Sequence, residues 1–224
     1  MGRRGVTVAI VAVGLLWGSV AFSAGETAGS VLVRDFRSDR PGNPPAGFTF
    51  QRTGGGRPAR WVVVPADGAL GGGNVLAQTD ADGTGSRYSM AILDKPVSRD
   101  IRVTAECAPI SGQLDQACGV VFRYLDADNY FVARANALEG NIRLYRVRSG
   151  RREQLATWSG TVASGQWHEL GADAVGDRIS ITWDGRKVID ARVTTVPGAG
   201  KAGVWTKGDS VAWFREIRVQ PLGP

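Results

Sequence analysis

An all-β fold, two packed sheets or a barrel, is predicted by three observations. Short apolar runs recur at strand spacing with turn signals between them. After residue 23, no stretch keeps apolar residues at helical spacing. Residues 118–147, CGVVFRYLDADNYFVARANALEGNIRLYRV, consist of three strand-like runs joined by two four-residue turn segments. About fifteen strands are expected, at 31–36, 48–52, 61–64, 75–78, 88–93, 101–107, 118–124, 129–136, 141–147, 153–157, 167–174, 178–183, 187–191, 203–206 and 211–219. So many strands within one domain require two layers or closure on themselves.

The chain opens with Arg3 and Arg4, an apolar run from Val6 to Phe22 and the small-x-small site Ala21-Phe22-Ser23. This is the pattern of a cleaved export signal over 1–23. The alternative is a retained anchor, since 6–24 is 19 residues and can span a bilayer. Residues 24–224 then form a single domain, within the size range of β-sandwiches. The 31 Gly and 10 Pro of 224 residues fall below the share that signals disorder. Residues 1–23 contain two of the 27 Lys and Arg and none of the 21 Asp and Glu, leaving 25 against 21. That mild surplus is scattered along strands and turns, which argues against nucleic-acid binding. A secreted, periplasmic or cell-envelope location follows if the segment is an export signal, with membrane contact only through an uncleaved N-terminus.

From Arg37 to Arg60 the PGNPPAG and GGGRP pieces predict loops around one short strand, either binding loops or a cover for the sandwich edge. Cys107 and Cys118 are separated by ten residues containing Pro109 and Gly112, which can return the chain so that the two face each other on neighbouring strands. In an exported protein a disulfide is expected; two buried thiols are the alternative.

In the 118–147 meander, four-residue loops at Leu125–Asp128 and Ala137–Gly140 pair Tyr124 with Asn129, Phe122 with Phe131, Val120 with Ala133, Asn136 with Asn141, Arg134 with Arg143 and Val132 with Tyr145. Period-two alternation then collects Val120, Phe122, Phe131, Ala133, Ile142 and Leu144 on a core face. The opposite face collects Arg123, Tyr130, Arg134, Asn136, Asn141, Arg143 and Tyr145. These are bidentate donors, amides and rings, the groups that hold hydroxyl-rich or carboxylate-bearing sugars. A solvated outer sheet face is the alternative, and Val121 and Val132 on the same side imply partial cover. Later, Val175-Gly176-Asp177 and Trp183-Asp184-Gly185-Arg186 read as hairpin turns.

The runs GVVFRYLDADNYFVAR, LYRVRSGRREQLA, GQWHELGADAVGDRISITWDGRKVID and GKAGVWTKGDSVAWFREIRV, from Gly119 to Val219, resemble the concanavalin A-like lectin and glucanase superfamily. Within it they resemble the laminin-G-like domains and the bacterial family named for 3-keto-disaccharide hydrolases. The resemblance covers about half of the mature chain and implies a jelly-roll sandwich of two antiparallel sheets. It implies either a carbohydrate-binding or cell-envelope interaction module, a hydrolase of 3-keto-disaccharides or related glycosides, or an adhesion-type protein-binding domain.

The catalytic constellations are sparse. No E-x-D-x-x-E run supplies the paired carboxylates of sandwich glycosidases; Glu139, Asp126 and Asp128 are the nearest candidates. Asp126 with Asp128, like Asp80 with Asp82, reads as a turn former. With Asn129, the first pair offers only a fragment of a calcium shell, so no cofactor is expected, with calcium the one metal to consider. His168, the only histidine, reads as structural, and the GGGRP and GGGN stretches lack the residues of a phosphate loop. Among the tryptophans, Trp183 and Trp213 are expected in the core. Trp61 and Trp205, near long loops, are the better ring-stacking candidates for a glycan.

Overall fold

The structure, a computed structural model, describes residues 1–2, 29–194 and 198–223; the expected export segment lies outside them except for its first two residues. The strands are β1 (Leu32–Arg34), β2 (Phe48–Thr53), β3 (Trp61–Pro65), β4 (Asn74–Gln78), β5 (Tyr88–Leu93), β6 (Ile101–Ser111), β7 (Ala117–Asp126), β8 (Asn129–Asn136), β9 (Asn141–Arg148), β10 (Arg151–Ser159), β11 (His168–Val175), β12 (Arg178–Trp183), β13 (Arg186–Arg192), β14 (Lys201–Lys207) and β15 (Val211–Pro221). All pair antiparallel. Sheet A runs β13-β12-β11-β6-β15-β4-β3, with β1 also on β15; sheet B runs β10-β9-β8-β7-β14-β5-β2. The fold is a two-sheet antiparallel sandwich, the first of the two architectures that the strand cadence allows and the one that the resemblance implies. Among the described residues no helix is long and apolar enough to cross a membrane.

The inner faces meet as period-two alternation requires. Val120, Phe122, Phe131, Ala133, Ile142 and Leu144 of sheet B pack on Val103, Ala105, Phe214 and Ile217 of sheet A, all at most 1% exposed. Burying each of the Val, Ile, Leu and Phe side chains among them contributes about 1.5–3 kcal/mol. Consecutive strands β6 and β7 lie in different sheets, so the Cys107–Cys118 disulfide crosses the sandwich, with Cα atoms 6.3 Å apart. The loop between them is tied down from β14–β15. The Asp209 carboxylate accepts the N–H groups of Gln113, Leu114 and Asp115 at 2.6 to 3.2 Å. Gly112 (φ 150°) is required there, because a Cβ would stand 1.9 Å from the carbonyl oxygen of Asp115.

Two register expectations fail, each at a bulge. In β7–β8, Phe122 pairs with Phe131 and Val120 with Ala133, but Asn129 pairs with Asp126 rather than Tyr124. The Asp126 carboxylate accepts the Asp128 N–H and the Asn129 amide, which tightens the reversal to Ala127-Asp128 and leaves three residues as a bulge. In β15, shifts beside Val211 and Phe214 put Ala212, Phe214, Ile217 and Val219 inside. Trp213, expected in the core, therefore lies on the outer side and is half-buried.

Candidate functional site

The outer face of sheet B carries the residues expected to form a ligand surface, with one exception. Register places Arg134 opposite Arg143, Asn136 opposite Asn141 and Val132 opposite Tyr145, as the second reversal requires. Arg123 is the exception. It sits in the β7 bulge with φ 48°, and its fully buried side chain leaves the other residues. Its Nε donates to the Arg99 carbonyl (2.7 Å) and its Nη2 to the Gly176 carbonyl (2.9 Å) and Asp100 Oδ1 (3.3 Å). Arg123 therefore clamps sheet B to the β11–β12 turn of sheet A, and is not part of the polar face.

That face is also not an open groove. A seven-stranded sheet accumulates right-handed twist, and here diagonally opposite corners meet over the concave side. Thr53, at the end of β2, donates to the Ala127 carbonyl and lies 3.0 Å from the Tyr130 hydroxyl, across the sheet on β8. The Arg152 guanidinium of β10 lies between the rings of Tyr88 and Tyr145, 4.6 and 4.4 Å from their centroids, and Tyr88 stacks on Trp205 at 5.7 Å. Beneath this closure Met90, Ile92, Val121, Tyr130, Val132 and Trp205 form a second apolar cluster. Gly119 makes room for it: a Cβ would lie 2.8 Å from the Ala133 carbonyl oxygen and 3.3 Å from the Trp205 ring. Trp205 and Trp61, expected as stacking platforms, are 0% and 3% exposed and belong to the two cores.

The Glu139 end of the face remains accessible. Asn136 accepts the Leu138 and Glu139 N–H groups on its Oδ1, which fixes the β8–β9 turn and turns the Glu139 side chain back over the sheet. Glu139 Oε2 then receives Arg134 Nη2 (2.9 Å), Arg143 Nη1 (2.9 Å) and Asn141 Nδ2 (3.1 Å). The amide of Asn136 donates to Glu139 Oε1 (3.2 Å) and Asp115 Oδ1 (2.9 Å), and Asp115 Oδ2 pairs with Lys207 Nζ at 2.7 Å. The side chains of Glu139 and Arg143 are about a third exposed, and that of Arg134 is 1% exposed. Asp115, Lys207, Arg152 and Tyr88 join the site from strands and loops whose place over this face depends on sheet order and twist. Sequence alternation alone does not bring them there.

The electrostatics are cationic. Burial raises the Glu139 carboxyl, but the Arg134 and Asn141 hydrogen bonds and the Arg134 and Arg143 charges outweigh it and hold the group below the ordinary carboxylate range. Tyr130 and Tyr145 share the face yet shift oppositely. Burial raises the phenol of Tyr130. The same effect acts on Tyr145, but donation from Arg143 and the charges of Arg134 and Arg152 overcome it and lower this phenol.

The remaining candidates separate from this site. Asp126, Asp128 and Asn129 form the β7–β8 reversal at the far end of β8, about 20 Å from Glu139 at the strand rise, so they cannot act with Glu139 on one bond. Among the described residues no three His, Cys, Asp or Glu side chains gather as a metal site. His168 stacks on Trp183 and bonds Asp184 through Nδ1 (2.8 Å), with no hydroxyl or thiol among its described partners. A cleft of about 270 Å³ opens elsewhere, at the sandwich edge between β2 and β3, lined by Phe50, Gln51, Arg52, Pro58, Ala59 and Trp61. The outer face of sheet A presents exposed ion pairs, Arg102–Asp173, Arg215–Glu106 and Asp190 shared by Arg178 and Lys187, the composition of a solvated face.

No family model matches the sequence, and no curated protein matches it. Several solved structures share the fold. The carbohydrate-binding module CBM66 from Bacillus subtilis aligns with TM-score 0.57 and 21% identity over 74% of this chain and 91% of its own. A native glycosidic hydrolase aligns with TM-score 0.59 and 12% identity over 89% and 99%. The exoplasmic/lumenal domain of VIP36, in a Ca2+/Man-bound form, aligns with TM-score 0.54 and 11% identity over 86% and 89%. At these identities the likeness is one of fold, a two-sheet antiparallel β-sandwich.

Proposed function

We propose that this chain is an exported carbohydrate-binding or cell-envelope interaction module of the laminin-G-like type, holding a glycan at the Glu139 end of the concave face of sheet B. The observation that carries this reading is the contrast between the two outer faces. Sheet A lays out exposed charges as small surface ion pairs, with Asp190 shared by Arg178 and Lys187. Sheet B interlaces guanidinium, amide, carboxylate and phenol groups of Arg134, Arg143, Asn136, Asn141, Glu139 and Tyr145 in one connected network. Sugar hydroxyls need donors and acceptors at close spacing on a fixed scaffold, and strands β8 and β9 supply that scaffold. The lectin-like fold and the inter-sheet disulfide support an extracellular module. Binding on a glycan array that is lost in Arg143→Ala and retained in Arg215→Ala, on the opposite sheet, is the expected result. Equal loss in both variants, or no binding to any glycan, rejects it.

A second reading, a hydrolase of 3-keto-disaccharides or related glycosides, is favoured by one feature. Asp115 Oδ1 and Glu139 Oε1 share the Asn136 amide, which places them about 6 Å apart or less, near the spacing of paired catalytic carboxylates. However, a general acid must hold its proton near neutrality, and Glu139 is shifted the other way while Asp115 is tied to Lys207. Turnover of a 3-keto-disaccharide that disappears in Glu139→Gln would replace the binding reading. In an adhesion-type domain, the third reading, the exposed Leu114 and Leu138 on the flanking loops would face a protein partner.

A further inference from the structure

Three guanidinium groups surround Tyr145. Arg134 and Arg143 donate to its hydroxyl at 3.4 and 3.3 Å, and Arg152 covers its ring. Among the described residues, Glu139 is the one carboxylate that touches any of the three, since Asp115 is engaged by Lys207 and Asn136. The arginines thus outnumber their carboxylate three to one. Donors are in surplus too: Arg134 Nε and Nη1, Arg143 Nε and Arg152 Nη1 are buried with no hydrogen-bond partner among the described residues. A buried donor left without an acceptor is destabilising, more so on a charged group. With three guanidinium groups and one carboxylate around Tyr145, the local potential stays positive and favours an anionic occupant at the one position where Arg134 and Arg143 both reach a carboxylate oxygen.

An occupant of that position has a definite chemistry. A hydroxyl brings a donor with each acceptor and no charge, so it is a poor replacement for a carboxylate between two guanidinium groups. A carboxylate brings two acceptor oxygens in a plane that matches the guanidinium fork. Glu139 uses only part of this capacity: its Oε2 alone sits where one nitrogen each of Arg134, Arg143 and Asn141 converges. Its backbone is pinned by Asn136, and Gly140 donates to the Asn136 carbonyl at 3.0 Å, so only the side chain has to turn outward to vacate that position.

We propose that the site takes a uronate-bearing saccharide, whose carboxylate displaces Glu139 from Arg134 and Arg143, so that Glu139 acts as a built-in competitor. This inference rests on the carbohydrate-binding reading and names its ligand class. It assigns Arg152 the role of holding the Tyr145 ring and adding positive potential, and Glu139 the role of lowering affinity while filling the empty site.

Affinity gels with the full chain at fixed ionic strength test it, using polygalacturonate, the same polymer methyl-esterified, dextran and dextran sulfate. The expected result is retention on polygalacturonate, at least tenfold weaker on the ester and absent on dextran. Glu139→Gln should tighten uronate binding several-fold. Arg143→Lys, which keeps the charge but loses the fork, should weaken it about tenfold, with thermal melting to show that both variants fold. Binding of the ester as strongly as the acid overturns the uronate assignment while leaving carbohydrate binding intact. Dextran sulfate bound as tightly as polygalacturonate shows that the site reads charge alone and also overturns it. No retention on any of these gels overturns the uronate assignment. If a glycan array shows no binding either, carbohydrate binding falls with it.

Discussion

Arg134 is nearly solvent-free, and its guanidinium relies on Glu139 for its one carboxylate partner among the described residues. Removing that carboxylate as Glu139→Gln should cost about 1–2 kcal/mol at neutral pH, the low end for a buried charged partner because water reaches Glu139. The sign of the pH dependence follows from the direction of its shift. A carboxyl whose folded value lies below its ordinary 4.5 contributes stability that is full above 4.5 and is lost as the pH falls through the folded value. Urea titrations should therefore show the gap between wild type and Glu139→Gln widest at neutral pH and closing in strong acid. A gap that grows in acid contradicts the assignment. At this scale the sequence is half legible. The Arg134–Arg143 pairing is readable from a four-residue loop and period two, because both depend only on local spacing. The arrival of Arg152 over Tyr145 is not, because it depends on a bulge in β10 and on how far sheet B coils.

The β7 bulge shows why the first reversal misleads as an element. LDADN admits either a four-residue loop or a two-residue one, and the decision rests on Asp126 accepting from Asp128 and Asn129, a local bond that competes with ladder extension. Choosing the longer loop puts Arg123 on the polar outer face of sheet B. The shorter one sends its side chain to the far sheet, while its backbone is approached within sheet B by the residue before β14: a Cβ on Gly200 would lie 2.5 Å from the Arg123 carbonyl carbon. The two arginines should consequently fail in opposite ways. Arg123→Met removes a fully buried cation from Asp100 and two carbonyls, and should lower stability by about 3–5 kcal/mol without changing glycan affinity in the folded fraction. Arg143→Ala should do the reverse, leaving the melting temperature nearly unchanged and abolishing binding. Differential scanning calorimetry beside binding titrations separates them. Arg123→Met that stays stable but loses glycan would return Arg123 to the site.

For the molecule as a whole, strand cadence and turn chemistry make the two-sheet sandwich legible, since alternation is a local property repeated many times. The closure of sheet B on itself is not, because twist adds over seven strands and no single segment encodes it. The Cys107–Cys118 bond joins the sheets at the root of the loop that holds Asp115. Cys107→Ala with Cys118→Ala should cost about 2–4 kcal/mol in urea unfolding, and an unchanged midpoint would show that the bond does not constrain the sandwich. The location of the glycan site is the claim on which the rest depends, and amide chemical-shift mapping during titration with the tightest array glycan tests it most directly. Perturbations should cluster at 134–145, at Asp115 and at 205–209, with sheet A and the Phe50–Trp61 cleft silent. Shifts centred on that cleft, or on Arg102 and Arg215 of sheet A, would contradict it.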